Sequence, residues 1–217
     1  MVRTIYIIRH AERIDNVDSQ WRKKTKNAFS YDNSPLSTRG HQQCTELNRW
    51  FKDIHVDHVF ASPFDRTLDT ATRMIGDRNI PIKPEGGFLE ALYLCESPPG
   101  VRPLEVLKET YPLIDTSYKP VVNPWKGGFK PEGVGDDACT PRVRKALNNI
   151  LDNYDGDIAI VSHGAPTGAL LEIMLGRWTY VGQATVSTIQ SPSPGEFEAI
   201  SISNADHLSD KRNLRPW

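Results

Sequence analysis

The sequence is poor in cysteine, with only Cys44, Cys95 and Cys139, odd in number and far apart. That excludes a disulfide framework or a clustered-cysteine zinc site and fits a reducing cytoplasm. It also lacks any run near the ~18 apolar residues of a membrane-spanning helix. The opening Met1-Val-Arg-Thr-Ile is too quickly charged for a signal peptide. The formal net charge is only −1, which removes a general polyanion binder, so no nucleic-acid partner is expected. No internal repeat and no linker rich in Gly or Ser divides the chain, and one domain over residues 1–217 is expected. Walker and dinucleotide-binding loops are absent as well.

What is present reads as α/β. The hydrophobic fraction of 38% and charged fraction of 24% suit a globular enzyme. Thr4 to Ile8 is β-branched and aromatic, a buried strand that ends at Arg9-His10. A polar excursion follows over 11–35, with the basic run Trp21-Arg-Lys-Lys-Thr-Lys26, read as a solvated loop. A helix is predicted from Ser37 to Phe51, then a short strand from Asp57 to Ala61. Ser62-Pro63-Phe64-Asp65 reads as a helix start, with Ser62 as cap and Asp65 returning a capping-box bond. Residues 80–135 hold most of the prolines and glycines and are read as loops with one helix near Leu104 to Thr110. Trp125-Lys-Gly-Gly128 is read as a surface loop. Helix is predicted again from Arg142 to Asn153, strand from Asp157 to Ser162, and helix from Pro166 to Leu175. Val186 to Gln190 and Phe197 to Ser203 read as late strands forming a hairpin.

Two buried-strand patterns therefore end in a histidine, His10 and His163, and each leads toward helical sequence. Open α/β sheets bind ligands beyond the carboxyl ends of their strands, which would bring both histidines to one place. Arg9 and Arg13 flank His10, and Arg66 sits one turn into a helix that follows a strand. Guanidinium groups suit bidentate capture of phosphate oxygens, and helix N-termini add free N–H donors. A neutral imidazole held as one tautomer can attack phosphorus, and His163 can hydrogen-bond the phosphoryl oxygens. The thiol-based route is closed, because Trp50, Val101 and Lys145 stand six positions after the three cysteines where arginine is needed. His55-Val-Asp-His58 is read as solvated residues before a strand, so neither metal nor cofactor is expected.

The chain resembles the histidine phosphatase superfamily, which includes the cofactor-dependent phosphoglycerate mutases. Arg9-His10-Ala11-Glu12 is similar to the family's Arg-His-Gly-Glu opening. Pro35-Leu36-Ser37 with Gly40, Ser62-Pro63 with Arg66 and Thr70-Ala71, Phe88-Leu89-Glu90, and Val161-Ser162-His163-Gly164 resemble its later blocks, in order. A narrower resemblance, through Glu12-Arg13 and Asp115 to Pro120, is to the phosphatase module of the suppressor-of-T-cell-receptor-signalling proteins and to ecdysteroid-phosphate phosphatase. The resemblance implies a three-layer α/β/α fold with a mostly parallel central sheet. It implies His10 as nucleophile, with Arg9, Arg13, Arg66 and His163 as phosphate binders. Glu90 is implied as the general acid, and Glu85 is its rival, read here as a solvated loop carboxylate. The implied partner is a phosphorylated small molecule or phosphoprotein, and the narrower resemblance points to a homodimer.

Three functions remain open on this reading. One is phosphomonoester hydrolysis through a phosphohistidine; another is mutase-type phosphoryl transfer. The third is a catalytically weak phosphate-binding interaction module, because Ala11 replaces the family glycine. If position 11 needs positive φ, alanine costs roughly a kcal/mol or more there.

Overall fold

The computed structural model describes residues 2–126 and 129–216. Six strands form one sheet: β1 (Arg3–Arg9), β2 (His58–Ala61), β3 (Ile82–Pro84), β4 (Ile158–Ser162), β5 (Val186–Ser191) and β6 (Glu198–Asn204). Their order is β3-β2-β4-β1-β5-β6. The pairs β3–β2, β2–β4 and β4–β1 are parallel, whereas β5 and β6 add an antiparallel hairpin beside β1. The sheet is thus mostly parallel.

Strand side chains alternate between faces, and here both faces are buried. Ile5 and Ile7 of β1, Phe60 of β2, and Ile158 and Ile160 of β4 pack against α5 (Thr140–Asn153) and α6 (Gly164–Leu175). Ile8, Val59, Ala61, Ala159 and Val161 face α2 (Thr38–Phe51) and α3 (Asp65–Ile75). These two helical layers around the sheet complete the expected α/β/α arrangement. Two shorter helices, α1 (Trp21–Lys24) and α4 (Leu104–Thr110), lie in the connecting segments.

Most predicted elements are present, with four corrections. The loop-rich stretch 80–135 also contains β3, whose Pro84 has no amide proton to lose and sits on an edge strand, where proline is tolerated. The basic run holds the single turn α1, and Lys24 pairs with the half-buried Asp18. Helix α6 begins at Gly164, with Pro166 as its third residue. Helix α3 is not capped by Ser62: its cap is Phe64, with no side-chain bond, because Ser62 is engaged by a histidine instead. The carboxylate of Asp65 is fully buried and accepts from Asn33 Nδ2 (2.8 Å), Arg102 Nε (3.0 Å) and Tyr111 Oη (3.0 Å). In the Trp125 loop, the indole N–H donates to the Arg102 carbonyl at 2.9 Å, so the ring is anchored; Gly127 and Gly128 lie outside the described residues.

The start of α2 shows how tightly the loop after β1 is held. Ser37 Oγ accepts from Gly40 N–H and donates to Glu12 Oε1 at 2.7 Å. Arg39 Nη1 donates to the other Glu12 oxygen at 2.7 Å. A Cβ on Gly40 would stand 2.2 Å from the Glu12 carbonyl oxygen, so only glycine lets the helix approach. Glu12 is therefore an anchor for the segment that carries His10.

Candidate active site

The register of the sheet brings the two histidines together. Arg9 of β1 pairs with Ser162 of β4, so His10 and His163 are the next residues on adjacent parallel strands. Their ring centroids are 5.2 Å apart in an edge-to-face arrangement. The two imidazoles are buried. His10 N–H donates to the Ser162 carbonyl at 2.9 Å and continues the pairing by one bond.

His10 Nδ1 lies 2.8 Å from the Ala11 carbonyl oxygen. A carbonyl only accepts, so the proton is on Nδ1 and the lone pair is on Nε2. Burial, reinforced by the Arg66 and Arg9 charges, holds the His10 pKa well below its usual value. The ring is therefore neutral at neutral pH. His163 is held neutral by the same causes, burial first and Arg66 next. Its Nε2 contacts Ser62 Oγ at 2.7 Å, while Nδ1 is buried with no partner among the described residues.

The three predicted arginines converge on these rings. Arg9, Arg66 and Arg13 all act electrostatically on both His10 and His163. Arg66 is buried at the start of α3; its Nη1 donates to the Asp32 carbonyl at 2.7 Å, and its guanidinium sits 4.6 Å from the Phe64 ring centroid. Burial and the neighbouring Arg13 charge pull its pKa down to about 9. Arg9 is pulled down as well, by burial most of all. Arg13 is clamped by Asp15, with Nε 2.8 Å from Oδ1; burial acts to lower its pKa, but the Asp15 bond and charge outweigh it, and the pKa is raised. Nε of Arg9 and Nε of Arg66 are both buried without a partner among the described residues. Buried donors are normally paired, and guanidinium groups left this way can receive an anion.

Glu90 lines a cavity together with Arg13 and Arg66. Its volume is about 370 Å³, and Tyr31, Asp32, Tyr93, Leu94, Cys95 and Glu96 also line it. Glu90 Oε1 accepts from Ala91 N–H at 3.1 Å and from Ala165 N–H, in the first turn of α6, at 3.3 Å. Its loop is fixed by Arg142 of α5, whose guanidinium donates to the carbonyls of Gly86, Gly87, Leu89 and Glu90. Glu85 is not a solvated loop carboxylate. It is fully buried and accepts from Gly87, Val121 and Val122 N–H and from Tyr118 Oη, all within 3.0 Å. All four of those bonds fix the neighbouring loops, so Glu85 has no access to a substrate.

Ala11 does not lie among the described residues with positive φ, and its N–H donates to Thr70 Oγ1 at 3.2 Å. The methyl group joins a small apolar cluster with Leu36, Cys44, Ala184 and Leu208. Alanine is accommodated there without left-handed strain.

Several contributors carried no sequence signal of their own. Ser62 reads as a helix cap in sequence, but its Oγ lies against His163 Nε2. Asp15 and Asp32 sit in the polar excursion and hold Arg13 and Arg66, contacts that depend on how that loop folds back. Nothing beside Arg142 in sequence marks the four carbonyls that its guanidinium reaches. Among the described residues no group of His, Cys, Asp or Glu is arranged to hold a metal ion, and His55 bonds Asp57 at 2.9 Å. No helix among them is long and apolar enough to cross a membrane.

Comparison with known proteins bears on the family and the fold. The family model described as "Histidine phosphatase superfamily (branch 1)" matches residues 5–189. A probable phosphoglycerate mutase of Enterobacter sp. (strain 638) is 27% identical over 180 residues, covering 81% of this chain and 76% of that protein. The adenosylcobalamin/alpha-ribazole phosphatase of Escherichia coli (strain K12) is 22% identical over 173 residues, covering 79% of each. Among solved structures, the ecdysone phosphate phosphatase of Bombix mori superposes with a TM-score of 0.67 at 18% identity, covering 96% of this chain and 95% of that one. The phosphoglycerate mutase of Bacillus anthracis gives 0.61 at 19% identity, covering 94% and 93%. The family match spans both histidines, the three arginines and Glu90, and this chain belongs to the histidine phosphatase superfamily, branch 1.

Proposed function

We propose that this protein hydrolyses phosphomonoesters in two steps through a phosphohistidine on His10. The observation that carries the reading is a neutral imidazole whose Nδ1 proton is committed to the Ala11 carbonyl, beside buried nitrogens of Arg9, Arg66 and His163 that have no partner among the described residues. In the first step His10 Nε2 attacks phosphorus and the ester oxygen leaves with a proton from the Glu90 carboxyl. In the second, water gives a proton back to the Glu90 carboxylate and attacks the phosphorus, releasing phosphate and restoring His10. Arg9, Arg13, Arg66 and His163 stabilise the equatorial oxygens throughout, which is where most catalysis of phosphoryl transfer arises.

Beyond the phosphate-facing arginines, the cleft presents Tyr31, Tyr93, Leu94 and the carboxylates Asp32 and Glu96. Its described lining residues include no further cation for a substrate carboxylate, and Arg22 is stacked 3.7 Å from the Tyr31 ring centroid. That lining supports an ester with an apolar or aromatic alcohol, phosphotyrosine included, over phosphoglycerate isomerisation, the reaction for which several relatives are named. The test is a side-by-side assay of the purified chain on an aryl phosphate and on phosphoglycerate. Release of inorganic phosphate from the aryl ester, with no isomerisation of phosphoglycerate, is expected. Isomerisation without net hydrolysis would make the protein a mutase; no turnover of either would make it a binding module.

A further inference from the structure

Arg9 is held from an unexpected direction. Its Nη1 donates to two main-chain carbonyls, that of Val181 at 2.7 Å and that of Arg215. With Nη1 committed to these carbonyls, the edge formed by Nε and Nη2 is left for an anion. That edge lies against the first turn of α6, where a Cβ on Gly164 would stand 3.4 Å from Nη2 and 3.7 Å from Nε. The Val181 contact comes from the turn before β5, whose Ala184 N–H also reaches the carbonyls of Arg9 and His10 at 3.1 and 3.2 Å. The Arg215 contact comes from a segment beyond the residues matched by the family model, which end at 189.

That segment is fastened at several points. Leu208 is buried, and Leu214 packs against the cluster containing Ala11 and Ala184. Gln183 N–H donates to the Leu214 carbonyl at 2.7 Å, and Arg215 Nη2 donates to the Asn16 carbonyl at 3.1 Å. Arg39, which already grips Glu12, donates through Nη2 to the carbonyls of Asp210 and Arg212. Asn213 and Arg215 both adopt left-handed backbone, with φ of 52° and 49°. Non-glycine residues occupy that region only when surrounding contacts impose it. Here the alternation places the consecutive Leu214 and Arg215 carbonyls on Gln183 and Arg9.

We propose that residues 208–215 form a strap that positions Arg9 for phosphate, acting through the Arg215 main-chain carbonyl and anchored by Leu214. This rests on the reading of Arg9 as a phosphate ligand. A flexible guanidinium left with a free Nη1 samples rotamers that turn the Nε–Nη2 edge away from the anion, and fixing it beforehand raises affinity by removing that ordering cost. Arg215 is thus a positioning residue; its own guanidinium is exposed and bonded to Asn16.

The test is inhibition by inorganic phosphate, measured against an aryl phosphate substrate in the full chain. Arg215→Pro forbids positive φ and turns the carbonyl away. It is expected to raise the phosphate inhibition constant about tenfold, the worth of one hydrogen bond to a charged group. Arg215→Gly, which tolerates that φ, is expected to recover most of the loss. In an Arg9→Ala background, Arg215→Pro is expected to add nothing, since both act on the same contact. Leu214→Ala should give a smaller loss with the same non-additivity, and it serves if the proline variant does not fold. Unaltered phosphate inhibition in folded Arg215→Pro or Leu214→Ala would overturn the strap, as would a full additional loss on top of Arg9→Ala. Failure of Arg215→Gly to recover would assign the role to the side chain and refute the carbonyl. Unchanged inhibition in Arg9→Ala itself would instead remove Arg9 from the phosphate site.

Discussion

Ser62 Oγ stands 2.7 Å from His163 Nε2, which leaves Nδ1 as the ring nitrogen without a protein partner among the described residues. The proposed role needs the tautomer in which the Ser62 hydroxyl donates to Nε2, which puts the ring proton on Nδ1, where it can be donated to a phosphoryl oxygen. Ser62→Ala leaves the ring free to take the other tautomer. The expected loss in kcat is roughly 10-fold, against about 10²-fold or more for His163→Ala, which removes the donor altogether. Steady-state kinetics on folded variants check this, and equal kcat for Ser62→Ala and the parent would make the serine a spectator.

Two glutamates five residues apart have opposite expected phenotypes. Glu85 is fully buried and accepts four hydrogen bonds, so Glu85→Gln should destabilise the fold by roughly 2–4 kcal/mol, lowering Tm by about 5–15 °C, with kinetics nearly unchanged in what remains folded. Glu90→Gln should leave Tm almost unaltered. It should slow esters of poorly acidic alcohols far more than aryl phosphates, because only the former need a proton on leaving. Calorimetry and two substrates of different leaving-group acidity separate the residues. Equal losses on both substrates for Glu90→Gln would take the acid role away from Glu90.

The buried histidines also set a pH dependence. Burial holds both folded pKa values well below 6.5, so in the interval beneath that value the unfolded chain binds protons that the folded chain refuses. Their contribution to stability is complete above pH 6.5 and is lost as pH falls through that interval, by about 1.4 kcal/mol per pH unit for each ring. Activity should follow the same direction, flat across pH 6.5 and failing only below it, as Nε2 of His10 becomes protonated. Tm and kcat/KM measured from pH 5 to 8 check both. An acid limb centred at or above pH 6.5 would mean that the imidazoles are not desolvated as described.

Much of this was legible in the chain because the strongest signals are local. A buried strand is an unbroken apolar run, and Ile158 to Ser162 shows it as clearly as Thr4 to Ile8 does. Each run ends at a histidine, so parallel pairing in register was enough to place His10 beside His163. The less legible parts are those whose meaning depends on distant partners. Ser62-Pro63-Phe64-Asp65 has the composition of a helix cap, but His163 and Arg102 outcompete the local bonds for Ser62 and Asp65. Glu85 sits among glycines and prolines as a solvated carboxylate would, and only the return of residues 118–122 buries it. Likewise nothing near Arg9 in sequence announces Arg215, which is 206 residues away.

If His10 carries the phosphoryl group during turnover, chemical trapping of that intermediate will find it there. Rapid quenching of the enzyme with a labelled phosphate ester should leave label on the protein. A phosphoramidate of histidine is hydrolysed in acid and survives alkali, opposite to phosphoserine. The label is predicted to be acid-labile and alkali-stable, to map to the peptide containing Arg9-His10-Ala11, and to vanish in His10→Ala. Label on His163 or on a cysteine, or full activity in a folded His10→Ala protein, would exclude His10 as the nucleophile.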